Sequence, residues 1–98
     1  MEEDKFPEFD INQWDDSVQT VKMLQKKVIS HTAWATVLYL YQELDIKTGE
    51  YKEPAVRLVR YRKRNGEYKF YAKFNISNAK QALEISHALE EWFIDSTL

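Results

Sequence analysis

The chain has 98 residues, of which 44% are hydrophobic and 31% are charged, and it contains two histidines, two glycines and no cysteine. This length and composition are typical of one small globular domain, and the lack of cysteine excludes a disulfide framework, a thiolate metal site and a cysteine nucleophile. The formal net charge of -2 argues against a uniformly basic binder of nucleic acids. Whether that exclusion holds depends on how the charge is distributed.

The first 16 residues form a predicted acidic arm, which precedes a single domain over residues 17–98. Residues 1–16 contain seven acidic side chains and one lysine, whereas residues 17–98 contain thirteen basic and nine acidic side chains. The arm also carries Phe6, Phe9 and Trp14. Either these aromatic residues pack on the edge of the domain, or the arm docks on a protein partner or competes for the chain's own basic surface.

The sequence shows no sign of export or of membrane insertion. Met1 is followed by three acidic residues, whereas a secretory signal begins with basic residues. The longest uncharged run, residues 28–42, is shorter than the ~18–20 residues that a membrane span requires. We therefore expect a cytoplasmic protein that makes no membrane contact.

Residues 17–29 fit two secondary structures equally well. As a helix, this segment would align Val18, Val21 and Leu24 on one face. As a strand, it would use its β-branched residues, which favour an extended backbone. Both an additional N-terminal helix and a further strand stay open at this point.

The patterns that follow are clearer. Residues 33–44 are rich in aromatic and β-branched side chains and predict a strand, after which a loop follows. Asn65 and Gly66 separate two alternating segments, residues 55–64 and 67–76. An Asn-Gly pair between such segments predicts a β-hairpin with a two-residue turn.

A C-terminal helix follows the hairpin. Ser77 or Asn78 supplies its N-cap, and apolar residues recur at helical spacing as far as Phe93. We therefore predict an α+β fold, in which an antiparallel meander of three or four strands packs one face against this amphipathic helix.

The two-residue turn also predicts which residues of the hairpin lie opposite each other. It places Arg60 opposite Tyr71, on a face that carries most of the cations. The other face, with Val59, Tyr61 and Phe70, is mainly apolar. We expect the apolar face to contact the helix and the cationic face to stay open.

The open face predicts a surface for single-stranded DNA or RNA. Cations would hold phosphates and tyrosine rings would stack on unpaired bases, each stack contributing roughly 1–3 kcal/mol. If Trp34 and Leu38 face the helix, the tyrosines that alternate with them share the face of the arginines. The expected nucleic-acid-binding residues are Arg60, Arg62, Arg64, Lys69, Tyr71, Lys73, Tyr39 and Tyr41.

Two other interpretations compete with nucleic-acid binding. The cationic face can simply be solvated, or it can serve a dimeric protein-interaction or adaptor module that has no nucleic-acid role. A single helix leaves one face of the sheet uncovered, so we expect a homodimer under either function.

No pattern in the sequence predicts catalysis, a metal site or a cofactor. Adjacent carboxylates such as Glu90 and Glu91 do not face each other on a helix. Glu84 and His87 would need ligands from other helices to hold a metal. With two glycines the chain has no phosphate-binding loop. We expect a protein that is not an enzyme.

Overall fold

The computed structural model describes residues 9–94 and shows an antiparallel sheet with one helix. In chain order the elements are β1 (Gln13–Asp15), β2 (Val18–His31), β3 (Trp34–Asp45), β4 (Glu50–Tyr51), β5 (Ala55–Arg64), β6 (Glu67–Ile76) and α1 (Ala79–Phe93). The sheet follows the order β1-β2-β3-β5-β6, with β4 paired to β3, and it curls into a half-barrel. The α+β class is therefore confirmed in coarse form, but the sheet has six strands where three or four were predicted.

Residues 18–29 belong to strand β2 and Ser17 lies in the turn before it, so the helical alternative for residues 17–29 is wrong. β2 pairs with β3 from Val21 to His31, with irregularities of register near Leu24 and Ile29. Such bulges bend a long strand, which suits a curled sheet. The helix-forming residues in the middle of β2 are extended because hydrogen bonds to β3 outweigh their weak intrinsic preference.

The turn between β2 and β3 is not evident in the sequence. Thr32 and Ala33 form it, and neither residue is typical of a tight hairpin turn. The backbone N–H of Lys63 donates a hydrogen bond to the carbonyl of Ala33 at 2.9 Å, and the Tyr68 hydroxyl donates one to the carbonyl of Thr32 at 2.6 Å. Residues distant in sequence therefore support this turn.

Part of the predicted acidic arm packs on the sheet. Phe9 is 4% exposed, and its ring centroid lies 4.6 Å from that of Tyr61. The Lys26 ammonium group donates a hydrogen bond to the Phe9 carbonyl at 2.9 Å, and β1 pairs with β2. Phe9 thus behaves as the packing interpretation of the arm predicts, whereas Trp14 is exposed and Phe6 lies outside the described residues.

The hydrophobic core lies on one face of the sheet, which we call the core face. Ala35, Val37 and Tyr39 of β3 are shut off from solvent there, and Val59 of β5 is nearly so. Phe9 packs in the same cluster. Because side chains alternate along a strand, the even-numbered residues of β3 and β5 lie on the opposite face, which we call the helix-side face.

The β5–β6 hairpin has the predicted turn but only part of the predicted register. Asn65 and Gly66 adopt φ values of 54° and 81°, as a tight turn of this kind requires. Near the turn the strands pair as predicted. Further along, Tyr71 is an extra residue in β6, so Arg60 lies opposite Ala72 instead of Tyr71.

This bulge at Tyr71 shifts the rest of β6 by one residue, and a shift of one residue exchanges the two faces of a strand. Lys73 lies opposite Val59 on the core face, whereas Phe74 lies opposite Leu58 on the helix-side face. The prediction that Lys73 shares a face with Arg60 is therefore wrong.

Helix α1 has the predicted place in the chain. The side-chain oxygen of Asn78 accepts a hydrogen bond from the backbone N–H of Gln81 at 2.8 Å, so Asn78 is the N-cap. No helix within the part of the chain that the structure describes is long and apolar enough to cross a membrane.

The helix packs on a different face from the one predicted. Ala82, Ile85 and Leu89 of α1 line an apolar cavity of about 410 Å³ together with Leu38 and Leu58 of the sheet. These sheet residues belong to the helix-side face, so the predicted contact of the helix with the face of Val59 is wrong. The helix consequently shares one face with Arg60, Arg62 and Arg64 of β5, whereas Arg57 lies on the core face.

Candidate nucleic-acid interface

Two arginines and two aromatic residues form a cluster on the helix-side face, further along β5 than the residues beneath α1. The guanidinium carbons of Arg60 and Arg62 lie 4.5 Å and 5.4 Å from the centroid of the Trp34 ring. Tyr71 meets Trp34 edge to face, with ring centroids 4.7 Å apart and an interplanar angle of 87°. We call these four residues the arginine–tryptophan cluster.

Strand register explains why these side chains meet. Trp34 at the start of β3 lies opposite Arg62, and Thr36 lies opposite Arg60, so both arginines adjoin the indole from the neighbouring strand. Tyr71 comes from β6, on the other side of β5, and it reaches Trp34 from the bulge. Three strands therefore contribute to the cluster.

The cluster is accessible to a ligand and partly ordered in advance. Tyr71 is 57% exposed, both arginines are exposed, and Trp34 is half-buried. A guanidinium group over an indole ring gains about 0.5–1 kcal/mol at an exposed site. Because these contacts already restrain the arginine side chains, less side-chain entropy is lost when they bind an anion.

The surroundings of the cluster carry an excess of positive charge. Within residues 9–94 the structure has one ion pair, between the Lys69 ammonium nitrogen and a carboxylate oxygen of Glu67 at 3.4 Å. Lys69 lies opposite Arg62, so two cations adjoin across the strands. Since like charges directly opposed are unfavourable, an external anion would stabilise this arrangement.

Five of the eight predicted binding residues lie on the helix-side face, and three do not. The register and the ring contacts place on this face Arg60, Arg62, Arg64, Lys69 and Tyr71. Arg64 is exposed at the end of β5, opposite Glu67. Lys73, Tyr39 and Tyr41 are on the core face.

The predicted place of Tyr39 and Tyr41 beside the arginines is wrong. The two side chains are 0% and 4% exposed. The hydroxyl oxygen of Tyr39 lies 2.7 Å from that of Tyr61, and burial, with this hydrogen bond as a second cause, raises the pKa of Tyr39 above its ordinary value. A neutral phenol inside the core has no free ring face for a base.

Trp34 is the residue of the cluster that sequence reasoning missed. Its alternation with Leu38 correctly predicts that both lie on the same face as the helix. The missing information was the pairing of β3 with β5, which also puts Arg60 and Arg62 on that face. The sequence therefore predicts Trp34 as a neighbour of Arg60 and Arg62 only when the pairing of β3 with β5 is known.

Neither a search for metal-binding side chains nor a comparison with known proteins indicates a function for this chain. Residues 9–94 contain no group of three or more acidic or histidine side chains placed to hold a metal ion. Comparison of the chain with protein-family models, with curated proteins and with solved structures finds no match.

Proposed function

We propose that this protein is a non-catalytic module that binds single-stranded DNA or RNA through the arginine–tryptophan cluster. The observation that supports the proposal best is the pair of exposed guanidinium groups over Trp34, with the exposed ring of Tyr71 beside them. Single strands are bound without sequence preference by cations that contact phosphates and by flat side chains that stack on bases. The cluster offers both kinds of group on one open face.

In this proposal Arg60 and Arg62 contact the phosphates. A guanidinium group presents a planar fork of N–H donors that matches the oxygens of a phosphate. Arg64 and Lys69 extend the positive surface toward the hairpin turn. For a single strand, each neutralised phosphate makes the logarithm of the binding constant fall with the logarithm of salt concentration by a slope of about 0.7.

Tyr71 supplies the stacking surface. Its ring meets Trp34 through an edge-to-face contact, which fixes the ring but leaves more than half of the side chain accessible. Removing one stacked aromatic side chain costs roughly 1–3 kcal/mol, which corresponds to about a 5- to 150-fold loss of affinity.

The test is a titration of labelled oligo-dT, oligo-rU and a duplex at two salt concentrations. We expect salt-sensitive binding of at least one single strand and weaker binding of the duplex. The Tyr71→Ala variant should lose affinity by the factor given above. The Arg60→Gln/Arg62→Gln variant should also reduce the salt slope by about 1.4, because two phosphate contacts disappear.

A matched control removes two exposed lysines away from the cluster. Lys47 lies in the loop after β3, and Lys80 lies in the first turn of α1. The Lys47→Gln/Lys80→Gln variant changes the net charge by the same amount as the arginine variant and should leave the salt slope nearly unchanged. Lack of binding to both single strands at low salt would refute the proposal, as would equal losses in the two double variants.

The second candidate function is a dimeric protein-interaction or adaptor module. It is favoured by the large apolar side chains of α1 that are exposed, among them Leu83, Trp92 and Phe93. Large apolar side chains exposed in such number on one helix are a feature of protein interfaces. Light scattering would then give the mass of two chains, and Trp92→Glu/Phe93→Glu should reduce it to that of one. A mass of one chain for the wild type at all concentrations would exclude the homodimer.

The acidic residues that precede Phe9 have a separate proposed role. We propose that they either contact a basic protein partner or compete with an oligonucleotide for the cationic face. Deletion of residues 1–8 leaves Phe9 in the core and removes four acidic side chains. If these residues compete with the oligonucleotide, the deletion variant should bind it more tightly. If the affinity is unchanged, contact with a basic protein partner is the alternative that stands, and titration with a basic peptide would test it.

A further inference from the structure

A second polar site lies on the core face, opposite to the arginine–tryptophan cluster. It is a cleft of about 320 Å³ between the segment that precedes β1 and the neighbouring strands β5 and β6. Arg57 and Lys73 contribute cations to its wall, Asp10 contributes a carboxylate, and Tyr61 and Phe70 contribute aromatic rings. None of these residues belongs to the arginine–tryptophan cluster.

Arg57 is buried, and it forms no ion pair with another of the described residues. Its side chain is 7% exposed, and its guanidinium carbon lies 4.5 Å from the centroid of the Tyr41 ring. Its Nε donates a hydrogen bond to the side-chain oxygen of Asn75 at 2.8 Å. No carboxylate oxygen within residues 9–94 lies within 4 Å of its guanidinium nitrogens. A buried cation that has no ion-pair partner among the described residues is costly, so an anion at this place would stabilise the protein.

The terminal amino groups of Arg57 are the donors that the described residues leave unused. Its Nε is used by Asn75, whereas within residues 9–94 the two Nη groups have no acceptor in the protein. They are also not sealed from solvent, because residues 9–94 contain no fully buried side-chain nitrogen or oxygen without a partner. The contact with Tyr41 and the bond to Asn75 hold the guanidinium plane in one orientation.

The charges around the cleft favour an anion. Arg57 and Lys73 contribute two positive charges and Asp10 contributes one negative charge. One oxygen of Asp10 already accepts two hydrogen bonds from Asn12, from the backbone N–H at 2.7 Å and from the side-chain amide at 2.8 Å. One oxygen of Asp10 is therefore engaged in its own turn, and the charges of Arg57, Lys73 and Asp10 sum to one positive charge.

We propose that this cleft binds a small ligand that carries one oxyanion group on a flat apolar body. The two Nη groups of Arg57 would donate a pair of parallel hydrogen bonds to the oxyanion, and Lys73 would add a second positive charge. The flat body would pack on Tyr61 and Phe70. The volume lies at the lower end of the ~300–1,000 Å³ of small-molecule sites, which limits the ligand to about one ring. A carboxylate and a phosphate monoester share this chemistry.

The test compares three probes that each carry one phenyl ring by NMR titration: phenyl phosphate, benzoate and the neutral benzamide, which has nearly the shape of benzoate. We expect saturable shifts of the amide signals of residues 10–13, Arg57 and Lys73 with one or both anions and not with benzamide. The anion that binds more tightly shows whether the cleft prefers a phosphate monoester or a carboxylate. Shifts of equal size with benzamide, or no saturable shift with either anion, would overturn the proposal.

Two lysines provide matched variants, because Lys73 lines the cleft on the core face, whereas Lys47 lies in the loop after β3 and does not line the cleft. Both are exposed, so their replacement leaves the core intact. Lys73→Met should weaken binding of the anionic probe at least fivefold, and Lys47→Met should leave it unchanged. Equal effects of the two variants would refute the site. The result is independent of oligonucleotide binding, because the cluster lies on the other face of the sheet.

Discussion

Phe9 should be one of the residues on which the stability of the fold depends most, although it belongs to an acidic N-terminal segment. Its side chain is 4% exposed and packs in the cluster of Ala35, Val37 and Val59. Its ring centroid lies 4.6 Å from that of Tyr61 and 5.8 Å from that of Tyr68, distances typical of favourable aromatic pairs. Replacement by alanine therefore removes buried apolar surface and two ring contacts together.

The expected loss is about 3–5 kcal/mol in the free energy of unfolding for Phe9→Ala, the range for truncating a buried phenylalanine. A domain of this size has only ~5–15 kcal/mol in total, so the variant should be marginally stable. Urea unfolding followed by circular dichroism measures the change. With a slope of ~1–3 kcal/mol per molar urea, the midpoint should fall by at least about 1 M.

Phe74→Ala is the matched control, because the same side chain is truncated at a position that is 61% exposed. It should change the free energy of unfolding by less than about 1 kcal/mol, as surface substitutions usually do. If Phe9→Ala cost no more than Phe74→Ala, then Phe9 would not pack as described, and residues 9–15 would not belong to the folded unit.

Two further predictions concern pH and the helix cap. Burial raises the pKa of Tyr39 and of Tyr61, so both side chains stay neutral in the folded protein above pH ~10, where tyrosine ionises in the unfolded chain. The free energy of unfolding should therefore fall above pH ~10, by up to about 1.4 kcal/mol per pH unit for each residue. The Tyr39→Phe/Tyr61→Phe variant should not show this fall in urea unfolding measured at several pH values. Asn78→Ala removes the hydrogen bond to Gln81 N–H and should cost about 1 kcal/mol by the same method, whereas Ser77→Ala should cost less.

Local signals in the sequence predict some elements of this fold well. The Asn65-Gly66 turn, the strand that begins near Trp34 and the helix after Asn78 all occur as predicted, since each depends on turn chemistry, side-chain branching or capping within a few residues. Residues 17–29 could not be assigned in this way. Their strand depends on pairing with β3, and their turn is supported by Lys63, which follows 30 residues later.

The sequence predicts the candidate site only in the part of the β5–β6 hairpin where the predicted register agrees with the structure. Arg60, Arg62 and Tyr71 form one cluster, although Arg60 lies opposite Ala72. The face of β3 could not be derived, because a long connection that includes β4 joins β3 to β5 and fixes no register between them. The sequence therefore predicts the wrong face for Tyr39 and Tyr41, and it does not predict that Trp34 shares a face with Arg60 and Arg62.

The extra residue at Tyr71 has consequences for both proposed sites. Without a bulge, strand alternation would put Lys73 on the helix-side face with Arg60 and Arg62. With the bulge, Lys73 lies on the core face, where it lines the cleft of Arg57, and Tyr71 reaches Trp34 on the other face. One inserted residue thus divides the cations of the hairpin between an extended surface suited to a polyanion and a cleft suited to a single small anion. A near-neutral net charge is compatible with two anion sites of this kind, because the charge that matters for binding is local to each face.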